Sequence, residues 1–223
     1  ATYASLNEAF AGINNGLHTG AITLNITANT SEPATITPLE SSGTGQASYS
    51  SILIQPQGGA YTITTATSRA AGKGLIELHG ADNVTINGDP NNTGVRQLTF
   101  EMPTGTIANT VIRLASKETN GTNGASNNTI KNCIIIGGRS AVNNTTLTNA
   151  ITFNHSTSTS NTATAAYANN NNVIENNLIQ RAYLGINLLG HASHFSLNNI
   201  IRKNIIGSSN ASLAIGQRGI KTQ

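Results

Sequence analysis

The sequence predicts an all-β fold, a parallel β-helix (solenoid) carrying an N-terminal α-helical cap, and three observations predict it. First, the stretch NNTIKNCIII at 127–136 recurs as NNVIENNLIQ from Asn171 and NNIIRKNIIG from Asn198. Aligned without gaps, Asn83, Asn127, Asn171 and Asn198 share a column at spacings of 44, 44 and 27 residues, and Ile86, Ile130, Ile174 and Ile201 share another. Second, the apolar runs are short, rich in Ile and Val, and broken by Asn and Gly, which is strand punctuation. Third, each repeat is too short to bury its own apolar side, so copies must stack and bury like residues on like.

The elements follow in chain order. In SLNEAFAGINNG, residues Leu6, Ala9, Phe10 and Ile13 keep helical spacing, Ser5 and Glu8 form a capping box, and Gly16 supplies a stop; the helix is expected over 5–15. Laid across the open end of a solenoid, it would cover core and strand edge together. The segments AITLNITAN, SSILIQPQG, AYTITTAT and GLIELHG then begin the coils, which occupy 21–223 of a single domain. In the later coils Ile134, Leu178 and Ile205 align, as do Ile135, Ile179 and Ile206. The repeated Asn is expected at corners, where it tolerates a left-handed backbone and can bond to its equivalents along the axis. One place after the stacked Ile, the outward column Asn87, Lys131, Glu175, Arg202 alternates in sign from Lys131 on, as cross-strand pairing favours. The 27-residue copy is the minimal coil; the longer copies carry excursions near 117–126 and 154–169, expected to project from one corner beside the loop holding His191 and His194. Gly219–Gln223 matches the start of the run at Gly185, in mid-coil, so a longer parent chain, further coils or another molecule stacked on that end is expected.

Composition narrows the function. The chain has 223 residues, 9% charged, with 31 Asn and 30 Thr and a net charge of +3. Its 12 Lys and Arg form no cluster and nine aromatics do not interleave with them, which excludes a nucleic-acid surface. No apolar stretch reaches membrane-spanning length. Cys133, alone in the chain, reads as a small buried apolar residue. The acids are Asp82, Asp89 and seven scattered Glu, whereas glycoside hydrolysis needs carboxylates paired at a defined separation. The turn DNVTINGDPNNTG could offer Asp89, Asn91 and Asn92 to Ca²⁺ but lacks EF-hand spacing, and no other cofactor is expected. His191 and His194 show no third zinc ligand. Sequons such as Asn25-Ile-Thr arise here from composition alone, and the Thr positions do not keep the single column an ice-binding array needs. If a binding surface exists, it is expected at the excursion edge, with His155, Tyr167, His191 and His194 as candidate contacts.

Through DNVTING, NNTIKNCIIIGG, NNVIENNLIQ and NNIIRKNIIG, residues 75–223 resemble the pectin-lyase-like superfamily, which implies a right-handed, single-stranded helix. The leading YASLNEAFAGINNGLHTGAITLNIT and SSILIQPQGGAYTIT resemble the N-terminal region of very large secreted surface proteins of Gram-negative bacteria, which commonly end in a type IX secretion sorting domain. The resemblance implies an extracellular or cell-surface location and a structural or adhesive role with a polysaccharide or cell-surface partner. The alternative is a polysaccharide lyase or hydrolase whose catalytic residues lie largely outside this chain; no catalytic motif carries over onto any residue here.

Overall fold

The computed structural model describes every residue except 68, 106–108, 118–122, 141–147, 156–167, 191–194 and 223. After helix α1 (Leu6–Asn14) come β1 (Thr19–Ile26), β2 (Thr30–Glu32), β3 (Leu39–Glu40), β4 (Ser48–Pro56), β5 (Tyr61–Thr65) and β6 (Gly74–His79). Then follow β7 (Val84–Asn87), β8 (Leu98–Glu101), β9 (Thr110–Ser116), β10 (Thr129–Lys131), β11 (Cys133–Ile136) and β12 (Asn149–His155). The last are β13 (Val173–Glu175), β14 (Leu178–Gln180), β15 (Leu184–Leu188), β16 (Ile200–Arg202), β17 (Ile205–Ile206) and β18 (Arg218–Thr222). Every third strand pairs in parallel, giving three six-stranded sheets ordered β1-β4-β7-β10-β13-β16, β2-β5-β8-β11-β14-β17 and β3-β6-β9-β12-β15-β18. This is the arrangement of a parallel β-helix solenoid.

The repeat columns are the hydrogen-bonding register. Ile54, Ile86, Ile130, Ile174 and Ile201 pair in sequence along the first sheet, and the first four are at most 1% exposed. In the second sheet Ile135, Ile179 and Ile206 pair, as do Ile134, Leu178 and Ile205. The third sheet stacks Ile76, Ile112, Ile151, Ile186 and Ile220. The column from Ile54 to Ile201, the Ile135 column and the column from Ile76 to Ile186 meet in one hydrophobic cluster along the axis, whereas Ile134, Leu178 and Ile205 lie on the outer face, half-buried or exposed.

The corners are built from asparagine. Asn83 and the first Asn of each pair, Asn127, Asn171 and Asn198, take the left-handed conformation with φ between 56° and 59°, which Asn enters at lower cost than other chiral residues. The second Asn is buried and works differently from an amide stack. Asn128 Oδ1 accepts from Val84 N (2.8 Å), Asn172 Oδ1 from Asn128 N (3.0 Å) and Asn199 Oδ1 from Asn172 N (2.9 Å). The matching Nδ2 groups donate to the carbonyls of Ala81, Ala125 and Asn169. A second ladder at the next corner runs Cys133 N to Asn177 Oδ1 and Asn177 N to Asn204 Oδ1, both 2.9 Å. Direct amide-to-amide bonding dominates only on the outside, where Asn176, Asn132 and Asn87 link at 2.8 Å. There Asn132 and Asn176 also turn left-handed. Gly88 shows how tight this corner is, since a Cβ there would lie 2.1 Å from the Asn132 carbonyl oxygen.

The helix docks by satisfying an edge. Ser5 caps it by accepting from Glu8 N (3.2 Å), while Glu8 reaches back to Ala4 N rather than to Ser5. Gly16 (φ 72°) ends it, with Gly16 N bonded to Ile13 O and Leu17 N to Gly12 O, a Schellman pattern. The buried Glu32 carboxylate of β2 accepts from Leu6 N, Asn7 N and Asn7 Nδ2, a favourable place for negative charge at a helix N-terminus. Two turns apart, Asn7 and Asn14 accept from Thr37 N and Glu40 N, covering the unpaired side of the last sheet's first strand.

The two expected excursions share a corner with the loop after β15, since 117–128 link β9 to β10, 156–172 link β12 to β13 and 189–199 link β15 to β16, but a further insertion lies at another corner. Residues 137–148 link β11 to β12 where only 181–183 link β14 to β15, and 156–172 link β12 to β13. The insertions therefore flank the third sheet on both sides. In the outward column Glu175 pairs with Arg202 (2.9 Å) and Lys203 (3.5 Å).

Two outcomes check this scheme. Asn172→Ala strips Asn128 N and the Ala125 carbonyl of buried partners and should cost about 2–4 kcal/mol in urea denaturation. Asn176→Gly keeps the left-handed turn but gives up the part-buried bonds to Asn132 and from Arg96 Nη2 (3.0 Å), so it should cost less than Asn172→Ala, about 1–2 kcal/mol.

Candidate functional site

Among the described residues only the third sheet buries both of its faces, along β6, β9, β12 and most of β15. All residues of β9 and β12 are buried, whereas β7, β10 and β13 alternate between buried and half-buried. One face carries the isoleucine column into the core. The neighbouring column, pointing the other way by strand alternation, reads Glu77, Arg113, Thr152, Asn187, Lys221 in continuous register. This polar stripe runs from β6 to β18.

Its centre is an ionic network. Arg113 Nη1 lies 3.2 Å from Glu77 Oε1, Arg113 Nε donates to Asn154 Oδ1 (2.8 Å) and Nη2 to the His155 carbonyl (2.6 Å). His79 Nε2 sits 2.6 Å from Glu77 Oε2, and Gly74 N donates to Oε1. Burial alone would raise the Glu77 carboxyl, but the His79 hydrogen bond, the Arg113 charge and the Gly74 N–H outweigh it and hold the group at about 2. A carboxylic acid so placed is ionised at neutral pH and donates no proton in acid catalysis. Farther along, both amide atoms of fully buried Asn187 lack a hydrogen-bond partner among the described residues, a costly state that a ligand hydroxyl or a water would relieve.

The remaining carboxylates among the described residues are also committed. Glu40 pairs with Lys117 and Glu101 with Arg181 (2.9 Å). Asp82 accepts from Ser126 N at 2.7 Å, and burial raises its carboxyl. Asp89, considered for Ca²⁺, spends both oxygens on its own turn, accepting from Thr93 N, Thr93 Oγ1 and Gly94 N. Among the described residues no group of three or more His, Cys, Asp or Glu is placed to hold a metal. Cys133 is fully buried, its thiol pushed up to about 12 by burial, so it is not a nucleophile at neutral pH.

Of the candidate contacts, His155 closes β12 fully buried, its carbonyl held by Arg113. Tyr167, His191 and His194 lie outside the described residues. Sequence reasoning named Glu77 only as a scattered acid and missed Arg113 and His79; the signal available was strand alternation in GLIELHG and TVIRLAS, which puts Glu and Arg on one face once the register is known. Among the described residues no helix is long and apolar enough to cross a membrane. No protein-family model, curated protein or solved structure matches the chain.

The network makes two predictions. Arg113→Leu strands a buried carboxylate and should cost about 3–5 kcal/mol, while the double replacement Glu77→Leu with Arg113→Leu should cost less than that single change. Because Glu77 titrates below its ordinary value of 4.5, its stabilisation is complete above about pH 4.5 and is lost as pH falls toward 2. The stability difference between the native chain and Glu77→Gln, read from urea midpoints, should therefore shrink across that window.

Proposed function

We propose that the chain is a rigid segment of a secreted or cell-surface protein, wound as a right-handed, single-stranded β-helix and capped by α1. It holds the loops that flank the third sheet toward a polyhydroxylated polymer or cell-surface partner, with the buried polar stripe stiffening the sheet between them. The observation that carries the reading is the commitment of carboxylates: Glu8, Glu32, Glu40, Glu77, Asp82, Asp89, Glu101 and Glu175 each accept a structural hydrogen bond or ion pair. Hydrolysis of a glycosidic bond asks for a proton-donating acid and a second carboxylate across the bond. A scaffold asks for charges that are already satisfied. Right-handed winding is favoured because parallel crossovers take that hand almost without exception. Resemblance to pectin-lyase-like helices and to type IX-secreted surface proteins supports the same location and role.

The test is to pass the purified chain over immobilised neutral and acidic polysaccharides while assaying for new reducing ends and unsaturated products. Retention on at least one polymer without product is expected, and Tyr167→Ala should reduce retention. Depolymerisation that disappears in Glu77→Gln would establish the lyase or hydrolase alternative, and absence of retention on every polymer would remove the binding role.

A further inference from the structure

In a solenoid each coil meets only the coils directly beside it, and one set of contacts in this chain skips a coil. Counting three consecutive strands as a coil, β3 closes the first, β6 the second and β9 the third. Glu40 of β3 stands in register with His79 of β6, and His79 with Ala115 of β9. Lys117, just past β9, nonetheless carries its ammonium to the Glu40 carboxylate, 77 residues away in the chain. Asn123 reaches the same coil beside it, its Nδ2 donating to Ser41 Oγ at 3.0 Å.

The two reaches are joined at their backbones. Lys117 N donates to Asn123 O at 2.7 Å, closing the base of the 117–126 excursion. The second coil makes way for them at Gly80. Its backbone is left-handed (φ 65°), and a Cβ there would lie 2.5 Å from Asn123 Oδ1 and 2.8 Å from its Cγ, inside van der Waals contact. A side chain at position 80 would push Asn123 off Ser41.

Glu40, where the reach arrives, uses every polar group it has. Its N–H donates to Asn14 Oδ1 of α1 (3.1 Å), its carbonyl accepts from Tyr49 Oη of β4 (2.7 Å) and its carboxylate takes Lys117. Asn14 also donates from Nδ2 to Pro38 O (2.8 Å), so the last turn of α1 holds the backbone on both sides of Leu39. Ser41 shares its hydroxyl with Thr44 Oγ1 (2.7 Å) and gives its N–H to His79 O. Contacts therefore run without a gap from α1 through Glu40 to the excursion.

We infer that Glu40 and Ser41 are the receiving half of a clasp, with Lys117 and Asn123 as its tongue, through which the base of the excursion and α1 stabilise one another across the second coil. Residues 41–47, the corner after β3, contain no asparagine; the clasp takes the place of the ladder that pins the later corners. Such coupling is reciprocal, so that what loosens α1 loosens the excursion base, and the converse. The clasp belongs to the scaffold and stands whether or not the excursion edge binds a polymer.

Residue-resolved amide hydrogen exchange on the whole chain tests it. In the double variant Lys117→Met with Asn123→Ala, the amides of Glu40 and Ser41 should exchange at least about fivefold faster, while Ile130 and Ile174 keep their native rates. In Asn14→Ala, which cuts α1 from Pro38 and Glu40, the amide of Lys117 should exchange at least about twofold faster. Gly80→Ala should lower the urea midpoint of the native chain more than that of Asn123→Ala, where the displaced side chain is already gone. Native rates at Glu40 and Ser41 in the double variant, or an equal acceleration at Ile130 and Ile174, would overturn the clasp. Native exchange at Lys117 in Asn14→Ala would overturn its coupling to α1, and an equal effect of Gly80→Ala in both backgrounds would overturn the passage of Asn123 over Gly80.

Discussion

The hydrogen bond from a buried asparagine oxygen to the backbone N–H one coil away is the constraint on which the rest of this structure depends. At a corner the chain leaves one sheet for the next, and its peptide groups no longer face a strand neighbour. Buried and unpaired, each would cost about 1–3 kcal/mol. A carboxamide has the donor and acceptor of a peptide group on a short stem. Asn172 uses it as one, accepting from Asn128 N and donating to the Ala125 carbonyl, while its own N–H is taken by Asn199. The ladder is thus continuous through corners as well as sheets, and a slip by one residue would break every rung at once.

With the corners pinned, the faces differentiate. The inner columns of all three sheets are aliphatic and fill one core. The outer faces of the first two sheets stay half in water, which suits Thr, Lys and Glu. The third sheet buries a polar stripe instead, where Glu77 and Arg113 are tolerable only because His79, Asn154, Gly74 N and the His155 carbonyl share their hydrogen bonds. The buried stripe, its charges spent on each other, stiffens the sheet between its two sets of loops.

Much of this could be read from the residues. The Asn and Ile columns from Asn83 onward gave the register of the later coils, because each coil reuses the same corner chemistry. The helix was legible from Ser5, Glu8 and Gly16. The early coils were read as strands without register, because their corners use other residues, such as Gly58 (φ 87°) between β4 and β5, and leave no asparagine column. The division of the insertions between two corners was hidden for a related reason: 137–148 and 156–172 both separate low-complexity polar text from short apolar runs, and nothing local says which run begins the third sheet. Glu77 and Arg113 are 36 residues apart in chain and adjacent in space, a relation that exists only after coiling. That Asn7 and Asn14 bond to the edge backbone was equally unreadable, since exposed and edge-bonding asparagines look alike in sequence.

Amide hydrogen exchange at the corners tests the central claim most directly. If carboxamide oxygens hold these groups, the N–H groups of Val84, Asn128, Asn172, Cys133 and Asn177 exchange as slowly as those of the core positions Ile130 and Ile174. Exchange at those five amides as fast as in the surface turn at Asn92 would show that the corners are open to water and that asparagine does not fix the coil.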